Sequence, residues 1–545
     1  MVVPELRPWR AARPHVTRVA SAVRPRLARA ADAVRPRLAR AATAAKPQVT
    51  RLARAVSPRA ARTGKPKTWQ YTAGAATAGL ALAAGVVTAA GPWDSTGQRT
   101  AERDWAAAQE RTGGADHGRN TDTSGSSDGA GEAPRPAPSA GSVLTGLGGG
   151  VGTVNSVPDS GALADLLGPL LDVPELGTRR SAAIVDVASG KRLFGVGAGE
   201  PLTPASTTKI ATAAAALTAL GPDHRLTTRT ALEPDTKELV LVGGGDPTLT
   251  ARKDADGWAS LRELADATAK ALKKRDVREV TLSYDKTLYA GPELHPIGED
   301  GNLAPVSALM ADEARPNDST SGPVTRAQDP ATDAATKFAS FLADRGIKTT
   351  SPGPSKATNR AEALAAVSSP PLSSLVERML TNSDNDIAEA LARHTAVASG
   401  KRADFNGGGQ AIAAQLKKLG LPVSGVSFKD GSGLNRDDKL TADLLTSLLA
   451  KAADPAHPRL RAALTGLPVA GFTGTLSSRY TDGAAGIVRA KTGTLTGVNA
   501  LAGTVVDQDG HLLAFAFLAT NTTNKEAAQS ALDRTATALA ACGCG

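Results

Sequence analysis

Apolar and polar positions divide the 545-residue chain into four stretches of different character. In residues 1–67, Pro14, Pro25, Pro36, Pro47 and Pro58 recur every eleven residues, and Arg13, Arg24, Arg35 and Lys46 precede the first four. Each unit can start a short helix at its proline, with Leu, Val and Ala on one side and Arg on the other. Two readings stay open for this tail: a cationic amphipathic surface against anionic lipid, or a disordered basic segment that sets membrane topology. From Tyr71 to Gly91 there is no charge in 21 positions, with Lys65 and Lys67 ahead of the run and Trp69 and Trp93 flanking it. About 20 apolar residues cross a bilayer as a helix, so residues 68–93 are predicted as one transmembrane helix. The basic flank keeps the N-terminus cytoplasmic and sends the rest outside; a signal cleaved near Thr88–Ala90 is the competing reading. Residues 94–158, rich in Gly, Ser, Asp, Pro and Thr, form a flexible linker unable to bury a core.

Residues 159–545 carry the alternations of a folded region, longer than one core usually spans. Ser181–Val187, a turn at Ala188–Lys191 and Arg192–Val196 predict a hairpin. Pro204–Leu220 predicts a helix, as do Leu372–Leu380 and Asp386–Arg393. Near the other end, Ile487–Lys491, Asn499–Val506 and Leu512–Leu518 read as strands, closed by a helix from Asn524 to Ala541. Strands at both ends with helices between predict an α+β fold: one antiparallel sheet built from the two termini with the middle inserted. Within the insertion, about residues 230–365, Leu239–Val242 and Val280–Leu282 look like strands, and Ala259–Leu272 and Ala335–Leu342 like helices.

Charge changes the picture by its distribution. Residues 1–67 hold 17 Lys and Arg against Glu5 and Asp32, a net +15, so the remaining 46 basic and 51 acidic residues sum to −5. The basic balance belongs to the tail, and the folded part is not expected to bind nucleic acid. Cys542 and Cys544, the two cysteines, read as a frayed end. The seven histidines show no metal-ligand spacing, so no metal and no cofactor are expected, and the chemistry falls to side chains.

Three motifs occur in order: Ser206-Thr-Thr-Lys209, Ser383-Asp-Asn385 and Lys491-Thr-Gly-Thr494. Singly each is a chance pattern; their order and context carry the signal. Ser206 lies just inside a predicted helix and Lys209 one turn on, a nucleophile beside an amine. A lysine can take the serine proton if burial and a second cation, for which Lys491 is the candidate, leave it neutral. Ser383-Asp-Asn385 falls between two helices, as a loop facing the nucleophile or a capping loop of the second helix. Gly493, at the end of its predicted strand, is expected to admit a substrate backbone.

On these motifs, and on Gly243-Gly-Gly-Asp-Pro247, Val306-Ser-Ala-Leu309 and Asp430-Gly-Ser-Gly-Leu434, the chain from about 175 to 540 resembles the low-molecular-mass class C penicillin-binding proteins. These are the D-alanyl-D-alanine carboxypeptidase/endopeptidases of serine peptidase family S13. Ser206 and Ser383 stand 177 residues apart, fitting a family that inserts domains between its first two motifs. The resemblance implies the serine β-lactamase/penicillin-binding-protein transpeptidase-like fold and hydrolysis of D-Ala-D-Ala ends on peptidoglycan stem peptides, with β-lactams as covalent inhibitors. It assigns Ser206 as nucleophile, Lys209 as base, Ser383 as proton relay to the leaving D-Ala, and Asn385 and Asp384 as substrate contacts. Lys491 would supply positive potential, Thr492, Gly493 and Thr494 would bind the terminal carboxylate end, and the N–H groups of Ser206 and Thr494 would form the oxyanion hole. Two alternatives remain. A class A β-lactamase needs a Glu-x-x-Leu-Asn after the Ser-Asp-Asn loop, whereas Glu377-Arg-Met-Leu-Thr-Asn382 precedes it; a non-catalytic wall-binding scaffold would be expected to have lost at least one motif residue. The expected location is the cell membrane, catalytic domain outside, or secretion if the apolar run is cleaved.

Overall fold

The chain is seen as a computed structural model that describes residues 158–480 and 483–544; the basic tail, the predicted membrane helix and all but the end of the linker lie outside them. Asp159 caps helix α1 (Ser160–Leu171) by accepting the Gly161 and Ala162 N–H groups. Strands β1 (Arg179–Asp186) and β2 (Arg192–Val196) make the hairpin. A one-turn 3-10 segment at Ala205–Thr207 leads into α2 (Thr208–Leu220), whose first ten residues are all buried. Its alanines let helices approach on every side, which marks a core helix rather than a surface one.

The chain then leaves this body. Strands β3 (Thr227–Leu232) and β4 (Glu238–Val242), helix α3 (Leu261–Lys273), β5 (Glu279–Asp285), helix α4 (Pro330–Asp344), the two-residue β6 (Lys348–Thr349) and β7 (Gly353–Pro354), and β8 (Glu362–Ser368) form a second sheet ordered β6-β5-β4-β3-β8, with β7 also on β5. Helix α3 is the crossover that the parallel β4–β5 pair requires. It packs with α4 on one face around Leu264, Leu272, Phe338 and Leu342.

Helices α5 (Leu372–Asn382), α6 (Asn385–Ala398), α7 (Phe405–Lys418) and α8 (Ala442–Ala453) return to the body. Strands β9 (Arg489–Leu495), β10 (Val498–Val506) and β11 (Leu512–Thr520) and helix α9 (Lys525–Ala540) complete it. The five-stranded sheet is antiparallel, ordered β2-β1-β11-β10-β9, so the first strand lies beside the last. Its two faces differ as the two-residue strand period dictates. Ala514, Ala516 and Leu518 of β11 face the helical core of α2, α5, α6, α7 and α8, while Leu513, Phe515 and Phe517 face the side covered by α1 and α9.

Two local expectations are corrected. Ile487 and Val488 precede rather than begin β9, so Lys491-Thr-Gly-Thr494 sits inside an edge strand instead of at its end. Cys542 and Cys544 are joined in a disulfide; Cys542 is buried, and the Cys544 carbonyl accepts the Asp159 N–H, so the end is tied down. Among the described residues no helix is long and apolar enough to cross a membrane.

Candidate active site

Ser206 is held by a turn pressed between two glycines. Ala205, just before it, has a positive φ of 48°, the sparsely populated region a side chain occupies only when its surroundings enforce it. A Cβ on Gly493 would lie 2.5 Å from the Pro204 carbonyl oxygen, and one on Gly433, whose φ is +82°, would lie 2.0 Å from that of Ala205. Gly493 therefore lets β9 close on the Ser206 turn.

Lys209, fully buried, places Nζ 3.0 Å from Ser206 Oγ, 2.6 Å from Asn385 Oδ1 and 2.7 Å from the Ser432 carbonyl. The last two partners can only accept. The Asn385 amide is oriented by its other end, where Nδ2 donates to the Asn302 carbonyl at 2.8 Å. A neutral amine has two N–H groups and one lone pair, so with both N–H groups engaged the lone pair is left for the Ser206 hydroxyl proton. Burial pushes the Lys209 pKa down to about 8, against the opposing pull of Asp430, Glu389, Asp384 and Asp386.

Lys491 is also fully buried and donates to the Thr492 carbonyl at 2.9 Å. Burial first, and then Lys209, hold its pKa well below the usual lysine range. Burial is the main cause of the Lys209 shift, and the two buried lysines each disfavour the other's charge. Thr492 Oγ1 pairs with Thr475 Oγ1 at 3.0 Å, and Thr494 Oγ1 accepts from Gln529 Nε2 at 3.1 Å.

Ser383 ends α5 in the left-handed region (φ 58°, ψ 41°), and its N–H donates to the Met379 carbonyl. Asp384 caps α6 through the Ile387 N–H. Its carboxyl is buried, and burial together with Glu313 and Asp386 pushes its pKa well above the usual range. Asp384 thus holds the loop as the helix cap. Ser206, Ser383, Asn385, Thr492 and Thr494 converge on one cavity of about 630 Å³, which Asp384 also borders.

These residues come from the nucleophile turn, the α5–α6 junction and the edge strand β9. A family model for D-Ala-D-Ala carboxypeptidase 3 (S13) matches residues 162–320 and 314–541, the folded region almost end to end. The chain belongs to the S13 family. Carboxypeptidase DacB of Mycolicibacterium smegmatis is 37% identical over 406 residues, covering 71% of this chain and 86% of that protein. A D-alanyl-D-alanine carboxypeptidase of Actinomadura sp. (strain R39) is 29% identical over 425 residues, covering 63% and 78%. The crystal structure of penicillin binding protein 4 (dacB) from Haemophilus influenzae superposes with a TM-score of 0.57 at 21% identity, over 69% of this chain and 98% of that one, which establishes the fold.

Sequence reasoning missed several residues around this S13 site. The connection between β5 and α4, residues 286–329, brings Asn302 to Asn385, Arg326 to Asp386 (2.9 Å) and Glu313 to Arg378 (2.6 Å). Asp312, Glu313 and Ala314 all have positive φ near 54°, and the Asp312 carboxylate fixes this turn through Thr250 Oγ1 and the Ala251 N–H. Buried groups of three acidic or histidine side chains lie at His295, Glu389 and Asp430 and at Glu313, Asp384 and Asp386. Two signals were available: the segment Asp430-Gly-Ser-Gly-Leu434, and α6, where Asp386, Glu389 and Arg393 put charges at i, i+3 and i+7 of a buried helix.

Proposed function

We propose that the chain is a serine D-alanyl-D-alanine carboxypeptidase that works on peptidoglycan stem peptides through an acyl-enzyme on Ser206. The observation that carries this reading is the Lys209 amine, with both N–H groups engaged and its lone pair left for the Ser206 hydroxyl. Ser206 Oγ attacks the carbonyl of the penultimate D-Ala as its proton passes to Lys209 Nζ. The tetrahedral oxyanion is received by the Ser206 and Thr494 backbone N–H groups, each such donor contributing ~10²- to 10³-fold in rate. The C–N bond breaks, and the leaving D-Ala amine takes the proton from the Lys209 ammonium by way of the Ser383 hydroxyl. Water attacks the ester, losing its proton to Lys209, and the proton returns to Ser206 as the acyl group departs. Thr492 and Thr494 hold the terminal carboxylate, an anion that favours the charged form of Lys491 beside them.

β-Lactams mimic the dipeptide and acylate Ser206; with no Glu-x-x-Leu-Asn after the Ser-Asp-Asn loop they leave slowly, which disfavours a β-lactamase. The scaffold alternative is disfavoured by the intact residue types of all three motifs. The charge-free run Tyr71–Gly91 behind a basic flank supports a membrane-anchored enzyme with its catalytic domain outside. Protease added to intact cells should remove the domain and leave an N-terminal tag intact; a protected domain excludes this topology. Release of D-Ala from a stem pentapeptide, abolished by Ser206→Ala, tests the reaction itself. Well-folded native protein without release or penicillin labelling would favour the scaffold reading.

A further inference from the structure

Lys209 is oriented by a backbone carbonyl, and that carbonyl has its own supports. Ser432 belongs to the loop Asp430-Gly-Ser-Gly-Leu434, and each arm of the loop is tied to a buried carboxyl group. Glu389 of α6 accepts the Ser432 N–H (2.8 Å) and the Gly431 N–H (3.1 Å). Asp430 accepts the Gly433 N–H (2.6 Å) and the Asn435 N–H (2.7 Å). His295, from the long β5–α4 connection, donates from Nε2 to Asp430 Oδ2 at 2.9 Å. Its tautomer follows from its other nitrogen, which accepts the Ile297 N–H at 3.2 Å, so the ring is a neutral donor. All three side chains are buried, and the edge of the His295 ring packs on Phe405.

Resting on Lys209 as the base, we propose that Glu389, Asp430 and His295 are positioning residues: through the loop they aim the Ser432 carbonyl at the Lys209 amine and set a negative charge two hydrogen bonds from it. The path runs from Glu389 to the Ser432 N–H and from the Ser432 carbonyl to Nζ. A structural loop could be held by the same N–H contacts with any acceptor; a carboxylate here also sets the pH at which the base becomes available. The titratable groups facing Lys209 are Asp430 from the loop, Glu389, Asp384 and Asp386 from α6 and its cap, and Lys491 from β9. Those facing Glu389 include Asp430 and His295, and Arg393 feels Glu389 in turn. Asp438 backs the loop, accepting the Lys429 N–H at 2.5 Å, and burial and Asp430 push its pKa well above the usual carboxylate range. Glu389 is pushed up to about 7 by burial and Asp430.

The test is the pH dependence of penicillin acylation in the full-length protein, comparing the native enzyme with Glu389→Gln, which keeps an acceptor for the loop and removes the charge. Loss of an opposite charge this near lowers a lysine pKa by about one unit or more. The acid limb of the profile should therefore move at least about one pH unit lower; an unmoved limb with a merely reduced plateau overturns the proposal. Should the variant fail to fold, the native protein carries the same test through NMR of ¹³Cε-labelled lysine. The Lys209 signal, assigned by its loss in Lys209→Arg, should show a second inflection as Glu389 ionises, and a single inflection overturns the proposal. Ser206→Ala separates the two levels: if it retains covalent label, the acyl-enzyme reading itself fails, whereas loss of label there with an unmoved limb in Glu389→Gln removes only the positioning role.

Discussion

The two sheets of this protein reach the active site in different ways. The five-stranded sheet is buried on both faces: every residue of β10 except Val506 is buried, and an edge strand, β9, carries Lys491, Thr492 and Thr494. The inserted sheet has helices α3 and α4 packed on one face, and its outer strand β8 has no buried residue at all. None of the inserted strands supplies a residue to the hydrogen bonds described around the site; their connection at residues 286–329 does, with Asn302 on Asn385 and with Glu313, Arg326 and His295 on the residues that support it. Reacting groups sit on the rigid body, and the insertion braces them from outside. Long connections that pack their own side chains are where such supporting roles concentrate; this one does so through Tyr289, Leu303, Val306 and Ala308.

Breaking the body at its reacting atom should have the largest effect: Ser206→Ala lowers penicillin acylation by about 10⁴-fold or more while leaving thermal unfolding of the folded region unchanged. Breaking the brace comes next. Arg326→Met leaves Asp386 buried without its partner, both side chains being almost fully enclosed. Removing one member of a buried pair costs about 3–5 kcal/mol, so the thermal midpoint should fall, and acylation should slow because Asp386 lies next to Asn385. Gly493→Ala sharpens the comparison from within the body. Its new Cβ would meet the Pro204 carbonyl at 2.5 Å, against an overpacking cost of about 1–3 kcal/mol. Acylation should drop by more than the stability loss explains, since the displaced backbone is the one that carries Ser206. Equal acylation in native and Gly493→Ala protein would mean the turn is not clamped as described.

The sequence made the body legible and the brace obscure. The hairpin β1–β2, strands β10 and β11, and helices α5, α6 and α9 follow from local apolar periodicity and turn residues. The motif serines and lysines were visible because their chemistry resides in side chains at short spacing. Ser432 had no such signal, since its contribution is a backbone carbonyl, and Glu389 lies far along the chain from the lysine it supports. Asp384 caps a helix, one of the two readings its motif left open, and Gly493 also admits a neighbouring turn, a role its motif did not show. Whether a motif residue faces the ligand or the scaffold depends on tertiary approach, which spacing does not encode. The order of the C-terminus was missed because it comes from a backbone hydrogen bond, the Asp159 N–H to the Cys544 carbonyl at the start of α1.

The central claim is that a buried, uncharged Lys209 takes the Ser206 proton, and the rate of penicillin acylation across pH tests it most directly. The acid sign is fixed: the base works when deprotonated, and burial has brought its pKa down to about 8. Acylation should therefore fall about tenfold for each pH unit below about 8 and level off above it. A rate that is flat from pH 6 to 9, or that rises toward acid, would contradict a lysine base and require another group to accept the proton.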